Sequence, residues 1–232
     1  MQGDLIQTFP RIKVCGITTH ADLNGLASTA VDSIGLNFVQ RSPRCISTDL
    51  GVELNQLAHE LGLRTVAVLM NPRRQELDRI CSNVKPDFIQ LHGAESPSTA
   101  NECAGIPVVK AISWSGRREE ADLAEAWREA VSSEQLESSL AAFLVDAYAP
   151  VEGGGTGRMA RWDLVHPRPP VLAGVPLILA GGLKPANVAE AIGATLAEGV
   201  DTASGVEIEP GKKDLDACGA FASNAMAAFA NT

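Results

Sequence analysis

The chain has 232 residues, of which 45% are hydrophobic, 20% charged and 4% aromatic, so it is long enough to bury a core and too apolar to stay disordered. Its 19 Lys and Arg residues against 28 Asp and Glu give a net charge of −9. This charge excludes a broad basic surface for nucleic acid or anionic membranes, and any anionic ligand must be held by local groups.

Short apolar runs rich in Val, Ile and Leu alternate along the chain with segments of helix-like composition. Runs of this length and composition are typical of buried strands. In chain order, the predicted strands are 12–17, 33–39, 64–70, 88–92, 107–112, 142–147, 176–182 and 200–206. The helix-like segments that follow them are 21–30, 49–61, 72–81, 96–103, 117–131, 161–166, 185–192 and 213–230.

Eight alternating strand and helix units predict a parallel sheet with right-handed crossovers. The spacing averages about 29 residues, which is close to the length of one βα unit. We therefore predict that residues 1–232 form one domain, a compact (β/α)8 TIM barrel of the α/β class. An open, doubly wound sheet would show the same alternation and is the alternative.

Cys15 lies at the carboxyl end of the first predicted strand, where TIM barrels place their chemistry. Lys13 is two residues earlier, so the two side chains share a face of the strand. If that face is the barrel interior, the ammonium favours the thiolate, which can act as a base or nucleophile. The alternative is a small buried hydrophobic residue, which is the usual role of a free cysteine.

Asp146 ends the sixth predicted strand, after the apolar run Phe-Leu-Val. Burying an unpaired carboxylate is costly, so an acid at this position indicates function, with a helix-capping or loop-bracing role as the alternative. In a ring of eight strands, the first and sixth are three steps apart. Cys15 and Asp146 are therefore expected to face each other across the mouth of the barrel.

Glycine and serine residues follow the last two predicted strands. Glycine lets backbone N–H groups approach a phosphate closely, and the corresponding loops of TIM barrels are a frequent phosphate site. Two tight turns would show the same residues. We predict a phosphate site formed by Gly181, Gly182, Ser204 and Gly205.

Other polar side chains lie at strand ends. Arg44 follows the second predicted strand, where a guanidinium can pair with a carboxylate, although a solvated surface arginine is the default reading. Gln90 and His92 end the fourth strand, and Asp201 lies on the eighth. We predict that these four residues, together with Lys13, contact the substrate.

The glycine run at 153–157 matches neither the dinucleotide-binding nor the Walker template, so we predict a loop over the site or a simple linker. The four histidines lack metal-ligand spacing, and neither a metal nor a cofactor is predicted. The five cysteines show no Cys-x-x-Cys pair, which favours free thiols in a reducing compartment. No signal-peptide pattern or membrane-spanning apolar run is present, so a cytoplasmic protein without a membrane partner is expected.

Together, these segments resemble the phosphoribosylanthranilate isomerases, barrel enzymes of tryptophan biosynthesis. Each motif alone is weak, but their order along nearly the whole chain is specific. The motifs are K-V-C-G-I-T (13–18), G-L-N-F-V-Q-R-S-P-R-C-I (35–46), V-A-V-L-M-N (66–71), I-Q-L-H-G (89–93), L-A-G-G-L (179–183), V-D-T-A-S-G-V-E (200–207) and P-G-K-K-D (210–214).

The resemblance implies an Amadori rearrangement of N-(5-phosphoribosyl)anthranilate to 1-(2-carboxyphenylamino)-1-deoxyribulose 5-phosphate. It implies Asp146 as the general acid on the ribose ring oxygen and Cys15 as the base that removes the C2 proton. Arg44 would bind the anthranilate carboxylate, and backbone at Gly182 and 204–205 would bind the phosphate. On this view, Asp146 needs a raised pKa and Cys15 a modestly lowered one.

Two other functions are compatible with the sequence. One is a different phosphosugar isomerase, which would be expected to use paired carboxylates. The other is a non-catalytic phosphosugar-binding protein, against which the Cys15 and Asp146 pair argues.

The sequence leaves the choice between a monomer and a homodimer open. Three features depart from the common pattern of the family: Cys45, Thr202-Ala203 and the long stretch at 117–139.

Overall fold

The computed structural model describes residues 9–133, 138–146 and 161–232. Eight parallel strands form a closed barrel in chain order, which confirms the predicted TIM barrel. β1 pairs with β2 on one side and with β8 on the other, and this second pairing closes the ring. The strands are β1 Ile12–Cys15, β2 Ser33–Asn37, β3 Arg64–Leu69, β4 Phe88–Leu91, β5 Val108–Ser113, β6 Leu140–Asp146, β7 Leu177–Ala180 and β8 Gly199–Thr202.

Helices cover the outside of the barrel, but two of the segments predicted as helices are not α-helical in the described residues. The predicted helices at 96–103 and 161–166 are short 3₁₀ helices, Pro97–Glu102 and Trp162–Leu164. The helix expected to start at Pro72 begins at Arg74 instead. The α-helices of the described residues are α1 His20–Leu26, α2 Thr48–Glu60, α3 Arg74–Arg79, α4 Arg118–Ser132, α5 Val188–Thr195 and α6 Leu215–Phe229.

Polar caps start the helices at defined residues. The side chains of Thr19, Ser47 and Asp214 accept hydrogen bonds from the first-turn amides of α1, α2 and α6. Each cap satisfies a backbone donor that has no partner inside the helix. The caps therefore fix where each crossover turns back along the barrel.

Most strands end earlier than predicted because their last residues turn into the loops of the site. β1 stops at Cys15, since Gly16 adopts a positive φ of 81° that suits glycine. The eighth predicted strand, 200–206, stops at Thr202 and is followed by a two-stranded hairpin that was not predicted. Its strands are β9 Glu207–Glu209 and β10 Lys212–Lys213.

The core has two layers. A large cluster of buried apolar side chains lies between the strands and the helices, with Trp127 of α4 fully buried in it. A smaller cluster holds alternate side chains of several strands, including Val66, Val109, Leu144 and Ile178. Because strand residues alternate between faces, this inner layer leaves room for polar side chains at the carboxyl ends.

A buried ion pair ties the loops after β3 and β4 to strand β5. Lys110 Nζ lies 2.7 Å from Glu95 Oε2, and both side chains are almost completely buried. The ammonium also donates to the carbonyls of Leu91 and Gly93, while Glu95 Oε1 accepts from the backbone amide of Asn71. Burial lowers the pKa of Lys110, whereas Glu95 raises it. Removing either partner would leave a buried polar group uncompensated.

We expect Glu95→Gln to lower the free energy of unfolding by about 3 kcal/mol, because it leaves the buried Lys110 ammonium without its counterion. Urea unfolding followed by circular dichroism measures the loss. Asp78→Asn is the matched control, since Asp78 pairs with Arg74 on the surface and its removal should change stability little. Equal losses in the two variants would contradict the structural importance of the buried pair.

Candidate active site

A cavity of about 760 Å³ opens at the carboxyl ends of the barrel strands. It brings together residues from β1, β2, β3, β4, β6, β7 and β8 and from the loops that follow β2, β3, β4, β7 and β8. All of the predicted site residues except Lys13 line it. The lining residues are Cys15, Asn37, Val39, Arg41, Ser42, Arg44, Val68, Met70, Gln90, His92, Asp146, Ala180, Gly181, Gly182, Leu183, Asp201, Thr202, Ala203, Ser204 and Gly205.

The Cys15 thiol fits against a glycine on the neighbouring strand. Cys15 pairs with Gly35 across β1 and β2, and a Cβ atom on Gly35 would lie 2.5 Å from Cys15 Sγ. Any side chain at position 35 would therefore displace the sulfur. The glycine of the G-L-N-F-V motif makes room for the thiol at the floor of the cavity.

Lys13 lies on the same face of β1 and forms a buried ion pair with Asp201. Its Nζ lies 2.8 Å from Asp201 Oδ1, and Lys13 and Asp201 are register partners in β1 and β8. The side chain of Lys13 is 1% exposed and does not line the cavity. Its charge acts on Asp201 and Cys15, which do line it.

Burial raises the pKa of the Cys15 thiol above its ordinary value. The positive charges of Lys13 and Lys213 lower this pKa, as predicted for Lys13, but Asp201 raises it again. The predicted net lowering is therefore wrong. The physical reason is that desolvation, the largest effect, and the negative charge of Asp201 together disfavour the thiolate more strongly than the two lysines favour it.

Asp146 occupies the last position of β6, three strands along the ring from Cys15. Its backbone pairs with Ser113 and Ala180 in the neighbouring strands, and its carbonyl accepts from the amide of Trp114 at 2.9 Å. The side chain is partly buried and lines the same cavity as Cys15. The expected placement of a thiol and a carboxyl group around one cavity is therefore confirmed.

The loops after β7 and β8 are held against each other. The hydroxyl of Thr202 donates to the carbonyl of Leu183 at 2.7 Å. A Cβ atom on Gly205 would lie 1.8 Å from the same carbonyl oxygen, so only glycine fits there. Gly181 and Gly182 both have positive φ, a conformation that favours glycine. The four predicted phosphate-binding residues thus line one end of the cavity together.

Gln90 and His92 form a pair on the wall of the cavity. The Gln90 side-chain amide and His92 Nδ1 are 2.8 Å apart, and burial lowers the pKa of the imidazole. The ring is therefore neutral near pH 7. Within the described residues, Gln90 Oε1 is buried without a hydrogen-bond partner, so this amide can still accept a hydrogen bond from a ligand.

Arg44 reaches the cavity from the loop after β2, and its guanidinium is already bound by Glu207. Arg44 Nε donates to Glu207 Oε1 at 2.7 Å, and Nη2 donates to Oε2 of the same carboxylate. Lys213 donates to Glu207 at 2.7 Å as well. Sequence reasoning missed the contribution of Glu207 and Lys213. The Pro-Gly dipeptide at 210–211 between charged residues is a turn signal that could have indicated the hairpin.

Several other predictions concern absences or undescribed residues. The described residues contain no cluster of three or more His, Cys, Asp or Glu side chains that could hold a metal ion. No helix in the described ranges is long and apolar enough to cross a membrane. All five cysteines lie in described ranges and are free. The glycine run at 153–157 lies outside the described residues.

The sequence and the structure resemble proteins of one named family. The chain is 40% identical over 223 residues to N-(5'-phosphoribosyl)anthranilate isomerase of Ruegeria sp. (strain TM1040), covering 94% of this chain and 98% of that protein. The corresponding protein of Agrobacterium fabrum (strain C58) is 37% identical over 218 residues, covering 91% and 93%.

Solved structures give the same result. The crystal structure of phosphoribosyl anthranilate isomerase from Thermotoga maritima superposes with a TM-score of 0.75 at 31% identity, covering 94% of this chain and all of that one. A phosphoribosyl anthranilate isomerase in complex with reduced 1-(o-carboxyphenylamino)-1-deoxyribulose 5-phosphate superposes with a TM-score of 0.72 at 29% identity, with the same coverage.

The closed barrel and the cavity at its carboxyl ends define an enzyme of the TIM-barrel class. Residues 12–224 match the sequence model of the family described as N-(5'phosphoribosyl)anthranilate (PRA) isomerase. The chain belongs to this N-(5'-phosphoribosyl)anthranilate isomerase family. This confirms the predicted activity, the isomerisation of N-(5'-phosphoribosyl)anthranilate in tryptophan biosynthesis.

We expect Gly205→Ala to lower the free energy of unfolding by about 2 kcal/mol, because the added methyl group meets the Leu183 carbonyl and forces the two loops apart. Urea unfolding measures this loss. Gly193→Ala is the control: it adds the same atom in α5, where nothing lies within 4 Å, and should be neutral or stabilising. An unchanged midpoint for Gly205→Ala would contradict the close contact.

We expect the alkylation of Cys15 by iodoacetamide to reach its half-maximal rate above the ordinary thiol pKa, and Lys13→Met to move that midpoint to higher pH. The ammonium stabilises the thiolate, and without it Asp201 disfavours the thiolate further. Mass spectrometry of the Cys15 peptide across a pH series reports the rate. Lys184→Met, which removes an exposed lysine near the cavity, should leave the midpoint in place. A downward movement in Lys13→Met would contradict this account.

Proposed function

We propose that Cys15 and Asp146 carry out the isomerisation as general base and general acid. The observation that carries the proposal is their placement in one cavity, at the ends of strands three steps apart in the ring. A small substrate in this cavity can be approached by the thiol and the carboxyl group from different sides. Proton transfers of this kind require neither a metal ion nor a redox cofactor.

The reaction begins with a proton transfer from Asp146 to the ribose ring oxygen. The C1–O bond breaks, the nitrogen lone pair forms a C=N bond, and the ring opens to a protonated Schiff base. Cys15, as thiolate, then removes the C2 proton, and the electrons of that C–H bond neutralise the iminium nitrogen to give an enolamine. Tautomerisation of the enolamine yields the ketone, so the substrate and product are isomers.

Burial gives Cys15 an advantage and a cost. A raised pKa reduces the fraction of thiolate at neutral pH, but each thiolate is then a stronger base towards a C–H bond. Lys13 limits the cost, because its buried ammonium beneath the cavity stabilises the thiolate. We therefore assign Lys13 an electrostatic role, exerted through Cys15 and Asp201, in place of direct contact with the substrate.

The two ends of the substrate are anionic, and the cavity lining offers a separate group for each of them. Backbone N–H groups at 181–182 and 204–205 would hold the phosphate. Gly181 and Gly182 have positive φ, and Gly205 packs against the Leu183 carbonyl with no room for a side chain, so the backbone of these loops is accessible to a ligand. Arg44 would bind the anthranilate carboxylate. Gln90, His92 and Asp201 line the same cavity and would contact the sugar. The reduced product bound by the solved relative has the same phosphate and carboxylate groups, which supports this assignment.

The remaining expectations concern the setting of the enzyme. The five free cysteines support a reducing compartment, consistent with a cytoplasmic location. A Thermotoga maritima relative is described as dimeric, which keeps a homodimer open for this chain. The ligand is a small phosphosugar–anthranilate conjugate, and no further partner is proposed.

We expect Cys15→Ala and Asp146→Asn each to reduce kcat by at least about 100-fold, because each removes one proton-transfer group. Steady-state turnover of N-(5'-phosphoribosyl)anthranilate measures the loss, and circular dichroism checks that the fold survives. Cys81→Ala, which alters a thiol outside the cavity, should keep its kcat. Either site variant with kcat near that of the unaltered chain would refute its assigned role.

A further inference from the structure

Arg44 does not reach the cavity as a freely rotating side chain. Glu207 binds two of the three guanidinium nitrogens, Nε at 2.7 Å and Nη2, in a side-on, bidentate pair. The Arg44 side chain is 19% exposed and that of Glu207 only 4% exposed. The guanidinium plane is therefore set by a nearly buried carboxylate, while Arg44 remains part of the cavity lining.

Glu207 is itself held by the hairpin on which it lies. Glu207 and Lys213 are register partners in β9 and β10, and Lys213 Nζ donates to Glu207 Oε1 at 2.7 Å. The same ammonium donates to the backbone carbonyl of Cys15 at 2.6 Å. The hairpin thus ties the carboxylate that binds Arg44 to the end of the strand that carries the thiol.

The charges in this cluster favour a further anion. Arg44 and Lys213 contribute two positive charges and Glu207 one negative charge. Hydrogen bonds and positive charge from both cations lower the pKa of Glu207 and keep it ionised, against the effect of burial. One positive charge therefore remains uncompensated within the cluster, even though the protein as a whole is acidic.

We propose that Glu207 is a positioning residue, anchored by Lys213, that orients the Arg44 guanidinium for the aromatic carboxylate of the substrate. The proposal rests on the function proposed above, in which Arg44 binds that carboxylate. An arginine already locked in its binding orientation loses less conformational entropy when the ligand arrives. The Arg44–Glu207 pair should therefore increase affinity for ligands that carry the carboxylate and for no others.

The test uses two reduced product analogues, 1-(o-carboxyphenylamino)-1-deoxyribitol 5-phosphate and the corresponding phenylamino compound without the carboxylate. Calorimetry gives the Kd of each for the unaltered chain, Glu207→Gln and Arg44→Gln. We expect Glu207→Gln to weaken the carboxylate analogue about tenfold. Its affinity for the phenylamino analogue should change less than about twofold. In turnover, the change should raise KM and leave kcat nearly constant.

A charge-balanced variant separates orientation from charge and avoids a buried unpaired lysine. Glu207→Gln/Lys213→Met keeps one net positive charge in the cluster but removes the Arg44–Glu207 pair, and it should show the same selective loss. Circular dichroism establishes that each variant is folded. If Glu207→Gln fails to fold, the double variant and Glu207→Asp, which keeps the charge and shortens the side chain, decide the question.

Three outcomes would overturn the proposal. Equal losses for both analogues would show that Glu207 only braces the hairpin. Tighter binding of the carboxylate analogue would show that Glu207 competes with the substrate for Arg44. If Arg44→Gln itself does not distinguish the two analogues, the assignment of Arg44 fails, and the role of Glu207 fails with it. The tests of Cys15 and Asp146 are independent of this result.

Discussion

Parallel strands β1 and β8 pair with Lys13 opposite Asp201, and this pairing closes the barrel. The buried ion pair between the two side chains lies on the seam, next to Cys15. The end of the first strand and the loop that carries Ser204 and Gly205 are far apart in the chain, and closure of the barrel brings them side by side. The thiol, the predicted phosphate site and the hairpin at 207–213 are neighbours because of this one pairing.

An acidic chain that acts on a doubly anionic substrate must bind anions against its overall charge of −9. The structure offers two local solutions. One is backbone, in the loops at 181–182 and 204–205, where the proposed phosphate site would use N–H groups without adding lysines. The other is the cluster of Arg44, Lys213 and Glu207, which keeps one positive charge in a fixed orientation.

The buried thiol shows how strand-end chemistry depends on its surroundings. Cys15 would be an inert core residue if the cavity did not open above it and if no lysine lay on its face of β1. Burial makes the sulfur a stronger base, and the Lys13 ammonium beneath it limits the loss of thiolate. Gly35 is required beside the thiol for a steric reason, since any side chain there would push the sulfur out of place.

Much of the fold could be predicted from local patterns, because each strand and most helices are encoded by residues close together in the chain. The alternation of apolar and helical segments was sufficient to predict eight strands in chain order. The rule that TIM barrels place their chemistry at the carboxyl ends of the strands then selected Cys15 and Asp146. Strand ends were less predictable. The predicted strand at 200–206 includes the loop after Thr202, because apolar composition does not show where pairing stops.

The amino-acid sequence by itself determined the eight alternating strand and helix units and the positions in the chain of the thiol, the carboxyl group and the glycine loops, whereas ring closure by the β1–β8 pairing decided for the barrel over an open sheet. Only the tertiary structure decided the pairing of Arg44 with Glu207, two residues separated by 163 positions. It also decided the raised pKa of Cys15 and the buried place of Lys13. Local patterns specify elements through nearest neighbours, whereas ion pairs and desolvation depend on groups that meet only when the ring closes.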